Sequence, residues 1–196
     1  LWRNYDAVRP EVALAHLDRI ANDRRLSPAV RSHARWLRAN ARVRRGEIDA
    51  SRREIAELGF VREWRVIGPF DNEGKSGFSR EYPPEANRMG PLDPDASYPG
   101  RERDVRWRAY PDVTQLGYVS FDAVFRPNAN VCGYAETFVE AERAGALSLW
   151  IGAGGAVRVW WNGEVVHEDE GYRSPYPDRA AALVSARQGL NRVLVK

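Results

Sequence analysis

The sequence predicts a mainly β protein, an antiparallel β-sandwich preceded by an α-helical segment. Three observations carry that prediction. Apolar residues recur at three- and four-residue steps up to Phe60 and then switch to short runs. Eight such runs follow, rich in aromatic and β-branched residues and separated by Gly, Pro or Asn. No helix-length pattern lies between them, which favours a sandwich over an α/β fold. The predicted division is residues 1–59 for the helical segment and 60–196 for the sandwich.

The helices come first. In "EVALAHLDRIA", Ala13, Leu14, Leu17, Ile20 and Ala21 make an apolar stripe at helical period. "LSPAVRSHARWLRANARVRRG" opens with Ser27 as N-cap and Pro28 at the first helical position, and Gly46 stops it. Val30, Ala34, Leu37 and Ala41 mark its buried face. A third helix runs from Asp49 to about Leu58 and also ends at a glycine.

The strand runs are "REWRVIGPF", "DVRWRAY", "GYVSFDAVF", "CGYAETFVEAE", "ALSLWIG", "AVRVWWNGEVVHE", "AALVSA" and "NRVLVK". Residues 71–104 form a long Pro- and Gly-rich connection, a length that is functional or packs across a sheet face. Asn162-Gly163, between "VRVWW" and "EVVHE", specifies a two-residue type I′ hairpin. That register sets Trp160 opposite Val165 and Arg158 opposite His167. Folding back across "GAGGA" then pairs Ile151 with Val157, Leu149 with Val159 and Leu147 with Trp161. The valines share a core face, which leaves Trp150, Arg158, Trp160 and His167 on the other side. Two readings of that other side are open: a stacking platform for a ligand, or a face covered by the long connection or the helices.

Other chemistry is narrowed by what the chain contains. Cys132 is its only cysteine, so neither an internal disulfide nor a cysteine metal cluster can form. No apolar run approaches the roughly 20 residues that span a bilayer. The net charge of +3 is uneven, since residues 1–60 hold 13 arginines against 8 carboxylates. Arg31, Arg35, Arg38, Arg42 and Arg45 form one stripe, but no aromatic or base-reading residue accompanies it, which argues against nucleic acid. "GPFDNEGKSG" (residues 68–77) resembles a phosphate loop only superficially. Five residues separate its glycines, Pro69 removes an N–H, and Pro83 and Pro84 preclude the following helix. The three histidines lack metal spacing. "HEDE" (His167 to Glu170) could lend acidic ligands to a structural calcium, without the alternating-aspartate pattern of a dedicated loop. No nucleophile constellation is present, so no catalytic residue and no cofactor is assigned.

Two resemblances follow. "RRGEIDASRREIAELG" resembles the second half of a tetratricopeptide-type repeat. "EWRVIGPFDN", "YPPE", "VRWRAY", "GYAETFVEAE", "LWIGAGGAVRVWWNGEVVHE" and "GLNRVLVK" together resemble galactose-binding-domain-like (carbohydrate-binding-module-like) sandwiches of large bacterial multidomain proteins. That second resemblance implies a jelly-roll of two antiparallel sheets, an accessory role and a cell-envelope or secreted location. Gly154-Gly155 stands where the family often has two aspartates that contact calcium or sugar, a departure that weakens both expectations. The start at Leu1 and the stop within a strand pattern read as part of a longer protein.

The function expected is a noncatalytic binding or interaction module whose partner is a glycan or a neighbouring domain. Its ligand-binding candidates are Trp150, Arg158, Trp160 and His167, joined by Tyr172, Arg173 and Tyr176 in the following loop. The alternative is a purely structural docking domain of a multidomain transglutaminase- or peptidase-like or carbohydrate-active enzyme whose active site lies outside this chain.

Overall fold

The computed structural model describes residues 9–86, 93, 95–111 and 117–196. The chain divides into two compact units, Leu1–Phe60 and Val61–Lys196.

The first unit holds α1 (Pro10–Asn22), α2 (Pro28–Arg44) and α3 (Ile48–Ala56). Ser27 Oγ accepts from the Val30 N–H at 3.4 Å, capping α2 ahead of Pro28. Leu17, Ala21 and Ala34 form a small core with Ile20 and Leu37. Val30, expected on the buried face, is exposed; it sits in the first turn of α2, outside this cluster. The arginine stripe does not face solvent alone. Arg38 meets Asp18 of α1 at 2.5 Å and also bonds Glu54 of α3, while Arg42 reaches Glu54 at 2.9 Å and Arg35 reaches Glu57 at 2.5 Å. Arg45 pairs with Glu11 and Glu47. A buried carboxylate such as Glu54 is costly unless paired, and guanidiniums from three turns of α2 surround it. Hydrogen bonding to Glu54 holds the Arg38 guanidinium above its ordinary pKa against the opposing effect of burial.

The second unit is mainly β. Its elements are β1 (Arg65–Asp71), α4 (Pro83–Ala86), β2 (Ser97–Pro99), β3 (Asp104–Arg106), β4 (Arg108–Ala109), α5 (Phe121–Val124), β5 (Val131–Ala141), β6 (Gly145–Ile151), β7 (Val157–Trp161), β8 (Glu164–Asp169), β9 (Ala180–Ala186) and β10 (Gly189–Val195). One antiparallel sheet runs β4–β1–β5–β10–β7–β8, and two smaller ones pair β2 with β3 and β6 with β9. "GYVSFDAVF" is not a strand. Ser120 Oγ accepts from the Ala123 N–H at 3.3 Å and caps a single helical turn, which places Phe121 and Phe125 side by side with ring centres 4.9 Å apart.

The large sheet is covered on both faces. On one, Val157, Val159, Trp161 and Val193 pack against Ala182, Val184, Leu149 and Ile151 of the β6–β9 pair, making a sandwich. Phe125 closes the end of that face over Val66 and Ala135. On the other, Ile67, Phe70, Tyr134, Trp160 and Leu194 lie beneath Tyr82 of the long connection and Val105 and Trp107 just after it. Polar anchors pin the connection there. Lys196 Nζ donates to the carbonyls of Phe78 (3.1 Å) and Arg80 (2.6 Å) and meets Glu85 Oε1 at 2.6 Å, and the Tyr134 hydroxyl bonds the same carboxylate. Burial first, then the Glu85 bond, drives the Tyr134 phenol far above its ordinary pKa. Cys132, packed on this cluster, has its thiol pushed up to about 11 chiefly by burial.

Asn162 and Gly163 take φ of 49° and 89°, the left-handed pair a type I′ turn requires. Trp160 does pair with Val165. Two expected pairings fail. An extra residue on β8 shifts the register between Val159 and Trp160, so Arg158 opposes Glu168 and His167 opposes Val159. β6 does not lie beside β7 either. It pairs with β9 and faces β7 across the sandwich, because alternating apolar residues satisfy either arrangement equally.

Candidate functional site

These register changes separate the predicted site residues into two groups. Trp160 is 1% exposed. Arg158, beside it, bonds Glu168 and lies over the Phe78 ring at 4.6 Å. Both belong to the closed face under the long connection, and the expected common face with Trp150 is not formed. His167 turns instead toward the seam between the sheets.

Trp150 lies on the outer face of the β6–β9 pair and is 45% exposed. Alternation on β6 and β9 sends Leu149, Ile151, Ala182 and Val184 inward and leaves Ala146, Ser148, Trp150, Ala181, Leu183 and Ser185 outward. That outer face holds no charged residue, and its Leu183 is 78% exposed.

One end of this face is built up by two loops. A side chain at position 152 would point to the same side as Trp150, and there a Cβ would come within 2.4 Å of the Tyr176 carbonyl oxygen. At position 154 it would meet the Pro175 ring at 3.0 Å. Glycine at these two positions lets Pro175–Pro177 run against the β6–β7 connection, and Arg173 N–H donates to the Gly154 carbonyl at 3.3 Å. Of Gly154 and Gly155, only Gly154 is explained by this approach, since a Cβ at position 155 would meet nothing within 4 Å. Tyr176 and Tyr172, in the same loop, are 49% and 52% exposed. Tyr172 is held from the other side by Asn72, at 3.4 Å, and by Lys75, 4.6 Å above its ring.

Behind these rings lies a small cavity lined by Ile151, Val157, His167, Asp169, Arg173 and Arg179. Its volume of about 20 Å³ has room for a water and not for a sugar ring. Asp169 organises it. One carboxylate oxygen accepts from the Gly171 N–H at 2.8 Å and from Arg173 Nη2 at 3.0 Å, folding the guanidinium back across Gly171. Arg179 Nη2 donates to the Ser174 carbonyl at 3.0 Å. The structure therefore brings His167 and Arg173 together on one small cavity with Asp169 and Arg179, sets Tyr176 against the strand end at Gly152, leaves Trp150 on the outer face of β6, and sets Arg158 and Trp160 apart. Asp169 and Arg179 were legible as charged loop residues, but only the packing of the loops gives them a common site. In "HEDE" Asp169 is engaged by Arg173 and Glu168 by Arg158, and among the described residues no three His, Cys, Asp or Glu side chains gather to hold a metal ion. None of the described helices is long and apolar enough to cross a membrane.

No protein-family model matches the chain, and no curated protein matches it in sequence. Among solved structures, an uncultured Clostridium sp. beta-glucuronidase is similar over 68% of this chain, at 18% identity and a TM-score of 0.38. Ruminococcus gnavus beta-glucuronidase in complex with uronic isofagomine is similar over the same share, at 18% identity and 0.36. Its complex with uronic deoxynojirimycin gives 17% and 0.36. The matched region makes up 20%, 19% and 20% of those three chains, so this chain spans about a fifth of their length.

Proposed function

We propose that residues 61–196 form a noncatalytic saccharide-binding module whose contact surface is the loop end of the sandwich around Trp150. The observation that carries this reading is the contrast among tryptophans. Trp107, Trp160 and Trp161 are buried, whereas Trp150 stands open on an uncharged face, and Tyr176, whose backbone packs on Gly152 of the same strand end, is exposed as well. A pyranose ring has apolar C–H faces that cover an indole or phenol ring, and hydroxyls that need charged or amide partners at the rim. Arg173, whose side chain is about half exposed, supplies such a partner, with Asp169 holding it in place. The cavity behind is too small to take the sugar, so the ligand lies on the surface. Such shallow contact gives modest affinity, for which multivalent display in a larger protein compensates.

The test is a glycan array followed by titration calorimetry on the chain of 196 residues. A saccharide that binds the native chain and is lost in Trp150→Ala, with the melting temperature unchanged, supports the reading. Binding unaffected by Trp150→Ala and Tyr176→Ala, or no glycan bound at all, refutes it. One observation favours the docking alternative. Among the described residues β6 has no strand partner on its second edge, and an uncharged edge strand with exposed Leu183 and Trp150 nearby is a surface that a neighbouring domain covers well. Protection of Trp150 from quenching in a longer protein without sugar would select that alternative.

A further inference from the structure

A second cleft lies away from this loop end, beside the edge of the large sheet. It has a volume of about 420 Å³ and is lined by Ser97, Arg103, Asp104, Arg106, Trp107 and Arg108, with Gly68 of β1. That is within the range of small-ligand sites. The alternation of "DVRWR" makes it. Val105 and Trp107 turn into the core, so Asp104, Arg106 and Arg108 must turn outward, and the β2–β3 register sets Ser97 opposite Arg106. Trp107 forms a rigid floor, fixed by Arg65 stacked at 5.6 Å.

The charge of the cleft is unbalanced. Three guanidiniums line it against one carboxylate. Arg108 is anchored, donating to the Val124 carbonyl and lying over Phe125 at 5.6 Å. Arg103 and Arg106 are exposed and have neither a side-chain hydrogen bond nor an ion pair among the described residues, even though Asp104 is their neighbour in sequence. The other arginines that face this unit's connection find partners, as Arg101 does with Glu73 at 2.9 Å and Arg158 with Glu168. Two guanidinium forks without a partner among the described residues, both on the lining of one concavity, suit the planar acceptors of a carboxylate or the tripod of a sulfate.

We propose that this cleft is an anion site that takes a small oxyanion-bearing ligand, a carboxylate or a sulfate, clamped by Arg103 and Arg106 with Ser97 Oγ as a further donor. Asp104 sits on the same face and repels excess negative charge, which disfavours polyphosphates and nucleic acid strands. The site is independent of the saccharide surface at Trp150.

Titration of the chain with sodium sulfate and with citrate, at ionic strength held constant by sodium chloride, tests this by amide NMR and calorimetry. The expected result is saturable binding, with shifts confined to Ser97 and residues 103–108 and none at Trp150 or Tyr176. Sulfate alone binding identifies a sulfate site, and citrate alone a carboxylate site. The Arg103→Ala/Arg106→Ala chain should bind at least about tenfold more weakly, a loss of about 1.4 kcal/mol. Asp104→Asn should strengthen binding, a gain that a purely structural role would not give. Arg143→Ala, in the β5–β6 turn, should change nothing. Non-saturable shifts spread over all exposed arginines, or equal affinity in the double variant and the native chain, would overturn the proposal.

Discussion

Trp160 and Trp150 stand ten residues apart in sequence and meet opposite fates. The outer side of β7 is roofed by Phe78, Tyr82, Glu85, Val105 and Trp107, with the stretch from Phe78 to Glu85 fastened through Lys196 and Tyr134. The outer side of β6 and β9 has no such cover among the described residues. Both faces carry an indole, yet only the roofed one carries charge, in Arg158, Glu136 and Arg192. The difference teaches that charge next to a tryptophan marks a fastened interior here, and that the uncharged face is the one left open. An arginine beside an indole looks like a ligand site in sequence; in this fold it is a clamp on the connection.

The comparison breaks if the two indoles prove energetically alike. Trp160→Ala should cost about 3–5 kcal/mol of unfolding free energy, as expected for a truncated buried aromatic. Trp150→Ala should change stability by no more than about 0.5 kcal/mol. Urea unfolding of both variants measures the gap. Glu85→Ala, which strips Lys196 and Tyr134 of their shared carboxylate, should cost about 3–5 kcal/mol because it leaves a buried ammonium unpaired. Proteolysis within residues 72–86 should quicken in that variant, whereas Asp169→Ala should leave this segment unchanged.

The roofed face should also respond to alkali. The Cys132 thiol has its pKa raised to about 11 in the fold, against 9.0 for the free group. The unfolded chain therefore loses its proton first. Stability from this group is complete below pH 9 and declines toward pH 11, by about 2–3 kcal/mol. Urea midpoints at pH 8, 10 and 11 should fall in the native chain and fall less in Cys132→Ala. On the open side, Gly152→Ala forces a Cβ against the Tyr176 carbonyl and should cost about 1–3 kcal/mol as overpacking does. It should also loosen the loop that carries Tyr172 and Tyr176, so its hydrogen exchange there should rise.

Much of the fold could be read from residue order. Period 3.6 gave way to short runs at Phe60, and the left-handed turn at Asn162-Gly163 followed from residue type alone. Three features escaped. The residues of "GYVSFDAVF" are strand formers, but Ser120 caps a helical turn and Phe125 is claimed by Val66 and Ala135, so tertiary packing prevailed over propensity. The β8 bulge moved His167 to the inner side, and no residue in "EVVHE" announces an extra residue. The partner of β6 was invisible, since Leu147, Leu149 and Ile151 show one alternation whether the valines of β7 lie beside them or opposite. The candidate site was legible as residue types, Trp150, His167, Tyr172, Arg173 and Tyr176. Its boundary, which excludes Arg158 and Trp160, was not, because it depends on where a long connection lands.

The central claim is that the open indole, and not the roofed one, meets the ligand. Calorimetric titration of a bound saccharide into the native chain and into Trp150→Phe, Trp150→Ala and Tyr176→Ala tests it most directly. Affinity should fall in steps, retained in large part by Trp150→Phe and lost by at least about tenfold in Trp150→Ala, with thermal midpoints unchanged. Equal affinity across all four chains would contradict it.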